Sequence, residues 1–336
     1  MTALDALLLL MVVIWGANFS LVKVALRDFP ELAFNAFRLA IAASIFLVAI
    51  WRSRRASRLA GAAARRTPDL SRADWIRLAC LGLIGHFAYQ LCFLGGVKRT
   101  SVANGSLILG TSPILIALLS SLAGHERVSR SQWLGVILSL AGLYLVVGHD
   151  VTWSMESRLG DLLMLGSTLC WALYSVGAQP LLRVHSPLVV TGLSMTVGAA
   201  CYVLVTLPEL TRVDWSPIST TSWLLMIVSA SLALGFAYLI WYTAVQRQGS
   251  ARTSVYSYLT PLVAMVVAAV WLDEPISPNQ SVGAGTILAG LAVTRWSRTT
   301  DVRQSFDDHS TTVPRAFDDP SASARESFDE GLTPLE

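Results

Sequence analysis

Charged side chains are sparse. They make up 14% of the 336 residues, against roughly 25% in a soluble domain, which excludes a polar globular shell. No Asp or Glu falls in the central part of any apolar run, so a buried carboxylate relay for protons has no candidate. The only cysteines, Cys80, Cys92, Cys170 and Cys201, lie inside apolar runs at no metal-binding spacing. That leaves no disulfide framework and no zinc site, and reads as small buried packing residues. No nucleophile elbow, metal-spaced His and Cys set or facing acid pair is present, so the chain reads as no enzyme, with no cofactor and no metal. The leader Met1-Thr2-Ala3-Leu4-Asp5 lacks a positive charge and no small-x-small cleavage site follows. The first apolar run is therefore expected to be a retained helix rather than a signal peptide.

Apolar sequence is what remains, at 54% of the chain. About 20 residues at 1.5 Å rise cross a bilayer, and ten runs approach that length: near 4–26, 31–51, 74–96, 101–122, 131–148, 160–182, 187–207, 221–245, 252–272 and 279–296. Asp5 and Asp161 open runs, while Pro208 and Pro275 follow run ends. The net charge of +3 averages basic loops against an acidic tail, so no nucleic-acid partner is indicated; the lipid bilayer is. Seven arginines fall in one loop: Arg52, Arg54, Arg55, Arg58, Arg65, Arg66 and Arg72. The side richer in Arg and Lys is expected to be cytoplasmic. Ten spans then put both termini inside, at the cell (inner) membrane.

The chain repeats itself. Glu126, Ser129, Gln132, Gly135, Ala141 and Gly142 recur 148 residues on as Glu274, Ser277, Gln280, Gly283, Ala289 and Gly290. Pro113 and Pro261 obey the same offset, as do Ser106 and Ser254, and Trp75 and Trp223. Two units of five spans each are expected: 1–148, 149–298, then an acidic tail over 299–336. An odd number of spans inverts the second copy, which predicts an all-α membrane protein of ten transmembrane helices in two inverted five-helix repeats, with a substrate site between them near midplane.

These features resemble the EamA branch of the drug/metabolite transporter superfamily. The resemblance rests on a Pro in the fourth helix of each repeat (Pro113, Pro261), a Glu after it (Glu126, Glu274) and a Gly-rich fifth helix (Gly135 and Gly142, Gly283 and Gly290), and covers about residues 4–296. It implies a secondary transporter, a permease or exporter, moving a small organic metabolite by alternating access. Members export amino acids and other small molecules, aromatic amino acids among them. A membrane receptor or scaffold that recruits a partner through its tail is the alternative.

Substrate-site candidates follow from depth and helix face. Trp15 and Trp171 sit at matched depths, ten residues into their helices, too deep for interfacial anchors. With Asn18, Asn104, Tyr174, Tyr256 and Tyr258 they suggest an aromatic, amide-lined chamber for a small amphipathic substrate. His86, Tyr89 and Gln90 share one face at i, i+3, i+4, and Tyr238 and Tyr242 lie along a comparable face of the eighth run. These faces serve either interhelical hydrogen bonding or the cavity. Lys23 is expected to snorkel to the headgroups. Arg38 lies deeper, where a charge costs about 2.5–3.5 kcal/mol, and is a candidate for a substrate carboxylate. His86 is the one intramembrane group that titrates near neutral pH, so transport is expected to be facilitated or weakly proton-coupled through it. Pro113 and Pro261 kink their helices and serve either bundle shape or a hinge. Glu126 and Glu274 read as caps or ion-pair partners. The seven-residue Gly spacing favours close packing, within the subunit or in a homodimer. The tail repeats Phe306-Asp307-Asp308, Phe317-Asp318-Asp319 and Phe328-Asp329-Glu330, either a solvated extension or a dock for a cytoplasmic partner.

Overall fold

A computed structural model describes residues 2–59, 69–123, 134, 137, 138, 141, 142, 145, 155–286 and 288–290. Described residues form helices and connecting turns, and no strand occurs among them. Seven helices are long and apolar enough to span a membrane: α1 (Ala3–Ala25), α2 (Glu31–Ala56 within Glu31–Leu59), α3 (Arg72–Arg99), α4 (Val102–Leu122), α5 (Met155–Leu182), α6 (Pro187–Leu210) and α7 (Thr220–Gln248). An eighth, α8, is broken into Ser250–Ser257 and Thr260–Trp271. Residues 134, 137, 138, 141, 142 and 145 are helical, as are 278–286 and 288–290. Glu126, Gly135 and the tail after 290 lie outside the described residues.

Sequence sets the helix starts. Thr2 with Asp5, and Ser71 with Asp74, form reciprocal capping boxes. Ser101, Ser186 and Ser219 each accept a backbone N–H of the helix they precede. Asp161 departs from the expected role of opening its run. It lies inside α5 and accepts a short hydrogen bond from the Thr100 hydroxyl. Pro208 departs too, lying inside α6 rather than after it. Only two residues from the helix end, it disturbs a single turn.

The main contacts pair α2 with α6, α3 with α5, and α1 with α8. Each joins the chain before residue 123 to the chain after 155, so the core is built between the two halves. Large apolar side chains point outward, such as Val270 and Leu204, while Asn18, Asn35, Arg38, His86 and Gln90 are buried inside. That inversion of a soluble protein's pattern fits a hydrocarbon surround, where polar groups face the bundle interior. None of the cysteines is buried, contrary to expectation: Cys80 is exposed, the others partly so, and all are free thiols. The exposed Cys80 thiol costs little when the surround is lipid.

Two local features were not foreseen. Leu83–Ala88 in α3 and Ser229–Phe236 in α7 are π-helical. A π turn absorbs an inserted residue without breaking the helix. Trp75 and Trp223 are 148 apart but Phe87-Ala88-Tyr89 and Phe236-Ala237-Tyr238 are 149 apart. The slip falls where the longer π segment of α7 holds the extra residue.

The breaks in α4 and α8 lie against each other. A β carbon on Gly110 would come 2.6 Å from Pro261 Cγ. Beside Pro113, Thr111 Oγ1 donates to Ile108 O at 2.7 Å, a carbonyl that also accepts the Thr111 N–H at 3.1 Å. In α8 the neighbour differs. Ser257 Oγ donates to Ser254 O at 2.6 Å, and Thr260 Oγ1 makes no hydrogen bond to described residues.

Candidate functional site

The helix faces converge on one cavity of about 590 Å³, its open side included. Trp15 and Trp171 meet edge-to-face with centroids 5.5 Å apart, in the geometry their ring quadrupoles favour. Tyr238 lies 5.4 Å from Trp171 and 6.0 Å from Trp15, and Tyr89 5.8 Å from Trp171. Trp241, which sequence reasoning missed, packs beneath both tryptophans at 5.6 and 5.3 Å. The rings thus form a continuous wall across α1, α3, α5 and α7.

The π segments pin that wall. Trp15 Nε1 donates to Ala233 O at 3.1 Å, and Ser229 Oγ donates to Asn18 Oδ1 at 2.6 Å. Both partners lie in the π segment of α7, where the altered ladder leaves carbonyls free for side chains. In α3 the π segment carries His86. Its Nε2 lies 2.9 Å from Tyr174 Oη and 3.4 Å from Ser194 Oγ, and Tyr174 Oη lies 2.9 Å from Ser194 Oγ.

Seven of the twelve expected substrate residues line the cavity: Trp15, Asn18, Arg38, Tyr89, Gln90, Trp171 and Tyr238. His86 and Tyr174 stand behind the wall, in the triad with Ser194. Asn104, Tyr256 and Tyr258 lie away from the lining. Asn104 Oδ1 accepts from Gln280 Nε2 at 2.7 Å, Tyr256 Oη donates to Asp5 Oδ1 at 2.6 Å, and Tyr258 is buried. Pro113 and Pro261 sit at the breaks of α4 and α8. Sequence reasoning missed Phe19, Phe93, Ser112, Ser257 and Thr260, which also line it. The two phenylalanines pack at 5.4 Å; Ser112, Ser257 and Thr260 flank the helix breaks, so the prolines were the signal for them.

Arg38 is 1% exposed. Its guanidinium carbon is 6.0 Å from the Phe34 ring and 5.9 Å from Phe93. Its Nε and Nη1, both amide atoms of Gln90, Tyr238 Oη and Thr260 Oγ1 are buried and make no hydrogen bond to described residues.

The sequence pattern of the EamA-like transporter family matches residues 3–148 and again 158–296. The chain belongs to that family. Its relatives include the uncharacterized transporter YyaM of Bacillus subtilis (strain 168), 27% identical over 279 residues, 82% of this chain and 88% of that one. An uncharacterized transporter of Archaeoglobus fulgidus is 25% identical over 293 residues, 86% of this chain and 96% of that one. A protein of Streptantibioticus cattleyicolor named "Probable terminal-alkyne amino-acid exporter" is 27% identical over 287 residues, 84% and 90% of the two chains. A solved crystal structure shares the fold with a TM-score of 0.63 at 20% identity, over 88% of this chain and 98% of that one. EamA-family proteins are transporters rather than enzymes. This one is a multi-pass membrane protein that acts on a small-molecule substrate in a lipid environment.

Each end of this EamA-family bundle is tied across the two halves. At the Glu31 end, both Glu274 carboxylate oxygens accept from Val102 N–H, at 3.0 and 3.1 Å, capping α4. Glu274 thus takes the capping role expected of it. Lys23 does not snorkel away: Nζ donates to Thr100 O at 2.6 Å and stands 3.8 Å from Glu274. A free carbonyl at the end of α3 and a carboxylate in reach outcompete the headgroup region for this ammonium. The Thr100–Asp161 and Gln280–Asn104 bonds complete this plug, and Glu31 beside it pairs with Lys98 and Arg99 at 3.3 and 3.2 Å. At the Asp5 end the ties among the described residues are fewer. Tyr256 bonds Asp5, and His185 Nε2 lies 3.4 Å from Asp74 Oδ2.

His86 lies behind the aromatic wall, where it joins α3 to Tyr174 of α5 and Ser194 of α6. His86→Gln is expected to leave the proton-gradient dependence of uptake in proteoliposomes unchanged within twofold. It should also lower the melting temperature, because a buried network is broken.

Proposed function

We propose that this protein moves a small organic metabolite with a broad apolar body, an aromatic metabolite or an amino acid, outward across the inner membrane by alternating access. One observation carries the reading: a ring-walled cavity deep in the bundle, lined by both halves of the chain. A concave, largely apolar pocket with a few convergent polar groups suits a small ligand. The name of the Streptantibioticus relative supports an amino acid or similar cargo and the outward direction.

Two five-helix units, 1–148 and 149–298, in opposite orientation complete a ten-helix architecture on this reading. Its support is that α1 and α5, the first helices of the two units, begin at opposite ends of the bundle: Asp5 of α1 meets Tyr256 at one end, and Asp161 of α5 meets Thr100 at the other. The basic segment after α2 then assigns the Asp5 end to the cytoplasm and the Glu31 end to the outside. In this orientation the plug is an outer gate, and Pro113 and Pro261 lie at the crossing about which the halves rock.

The test is flux of labelled metabolites through the purified full-length protein in liposomes. Trp171→Ala should cut uptake of a transported compound at least tenfold, since it removes the centre of the wall. Val270→Ala, on the outer surface of the bundle, should change it less than threefold. Equal flux for Trp171→Ala and wild type would reject the cavity as the translocation site.

A further inference from the structure

We infer that the cargo is an organic monoanion: a carboxylate on an aromatic or similarly broad apolar body, paired with Arg38 and carrying no compensating ammonium. This rests on the transport reading above and narrows its substrate class.

Arg38 is the only charged side chain among the described residues of the cavity lining. No described carboxylate comes within ion-pair distance of it. The acids at the bundle ends are engaged elsewhere: Glu31 with Lys98 and Arg99, Glu274 with Lys23 and the α4 cap, Asp161 with Thr100, and Asp5 with Tyr256. Phe34 and Phe93 offer ring contact to the guanidinium. Such contact orients a cation but leaves its charge in place. A buried charge calls for a paired counter-charge, and here the cargo supplies it.

Geometry points the same way. Arginine's planar fork matches a carboxylate with two parallel N–H···O bonds, and buried nitrogens of Arg38 make no hydrogen bond to described residues. Gln90, Tyr238 and Thr260 line the same cavity and carry further buried polar atoms that make no hydrogen bond to described residues. Trp15, Trp171 and Tyr89 form the apolar wall for a flat body. A zwitterion fits less well. Its ammonium would meet aromatic rings, hydroxyls and amides but no described carboxylate, and the loaded cavity would keep a net positive charge. A monoanion brings that charge to zero.

The experiment uses four probes that share a phenyl ring: 3-phenylpropionate, phenylalanine, 2-phenylethylamine and 3-phenylpropanamide. Binding to purified full-length protein is read by tryptophan fluorescence, and flux is measured separately in liposomes. The expected result is that 3-phenylpropionate binds at least 30-fold tighter than each of the other three. Arg38→Gln should abolish that preference, weakening the acid at least 30-fold and the amide less than threefold; Arg38→Lys should retain part of it. Phenylalanine binding as tightly as the acid would overturn the inference. So would equal loss of acid and amide in Arg38→Gln, or binding of none of the four. The probe ranking on wild-type protein stands even if Arg38→Gln does not fold. Selective acid binding without flux of any probe would instead count against the transport reading and leave the anion site intact.

Discussion

Gly198→Ala should lower the melting temperature of the detergent-purified protein by about 6–12 °C. The reason is contact between backbones. A β carbon at Gly198 of α6 would overlap the His86 β carbon and come 2.5 Å from Gly82 O. The approach is reciprocal, since a β carbon on Gly82 would lie 2.6 Å from Ser194 O. These obstacles are main chain and the root of a side chain, so rotamer changes do not clear them, and α3 and α6 must separate. Forced overpacking costs about 1–3 kcal/mol, at times more, and small residues are what let membrane helices pack this closely. At about 2–4 °C per kcal/mol for chains of a few hundred residues, the upper part of that range gives the stated shift. The displaced segment also carries His86, so its bonds to Tyr174 and Ser194 should go as well. Gly235→Ala is the control. Its added carbon would meet nothing closer than Ala230 O at 3.5 Å, and the melting temperature should move by less than about 2 °C. A Gly198→Ala protein that melts with the wild type would mean that α3 and α6 slide apart freely, and the π segment would lose its role as a fixed contact.

Depth and face were legible in the sequence; neighbours were not. The duplication placed Trp15 and Trp171 at matched depths, and both stand at the centre of the cavity. Helical spacing put His86, Tyr89 and Gln90 on one face, but the π turn rotates the chain between them. Tyr89 and Gln90 therefore reach the cavity while His86 turns to Tyr174. Only the one-residue slip in the repeat hinted at this. Asn104 and Tyr256 have the right chemistry for a binding site, yet each is taken by a partner far away in sequence, Gln280 or Asp5. Lys23 was misjudged for the same reason, because a backbone carbonyl such as Thr100 O leaves no mark in side-chain sequence. Local pattern specifies which way a residue faces along its own helix. The identity of the facing group depends on how the two halves dock.

Glu274→Ala should open the Glu31 end. Its carboxylate holds Val102 N–H at the start of α4 and stands against Lys23, which in turn holds the end of α3 through Thr100 O. Asp273 just before it takes φ +52°, in the left-handed region that Asp tolerates better than most residues; this reversal follows α8 and carries Glu274 to α4. One side chain therefore ties together α1, α3, α4 and the end of α8. A hydrogen bond to a charged group contributes about 1.5–3 kcal/mol, and an anion at a helix N-terminus about 0.3–1 kcal/mol more. The Lys23 pair is partly exposed and adds less than about 1 kcal/mol. At about 1.4 kcal/mol per tenfold, removing the carboxylate should shift the balance toward the open end at least tenfold. The measurement is the labelling rate of Ser106→Cys by a membrane-impermeant thiol reagent, with the native cysteines replaced. Ser106 lines the cavity one turn below Val102 and is 1% exposed, so the reagent must pass the plug to reach it. Glu274→Ala should raise the rate tenfold or more. Glu274→Gln keeps an acceptor for Val102 N–H but loses the charge facing Lys23, and should fall between. Lys23→Met should resemble Glu274→Gln, because it removes the same charge pair from the other side. A Ser106→Cys rate indifferent to all three would mean that the plug does not gate the cavity. Access would then have to come from the Asp5 end alone, where the ties between halves among the described residues are fewer.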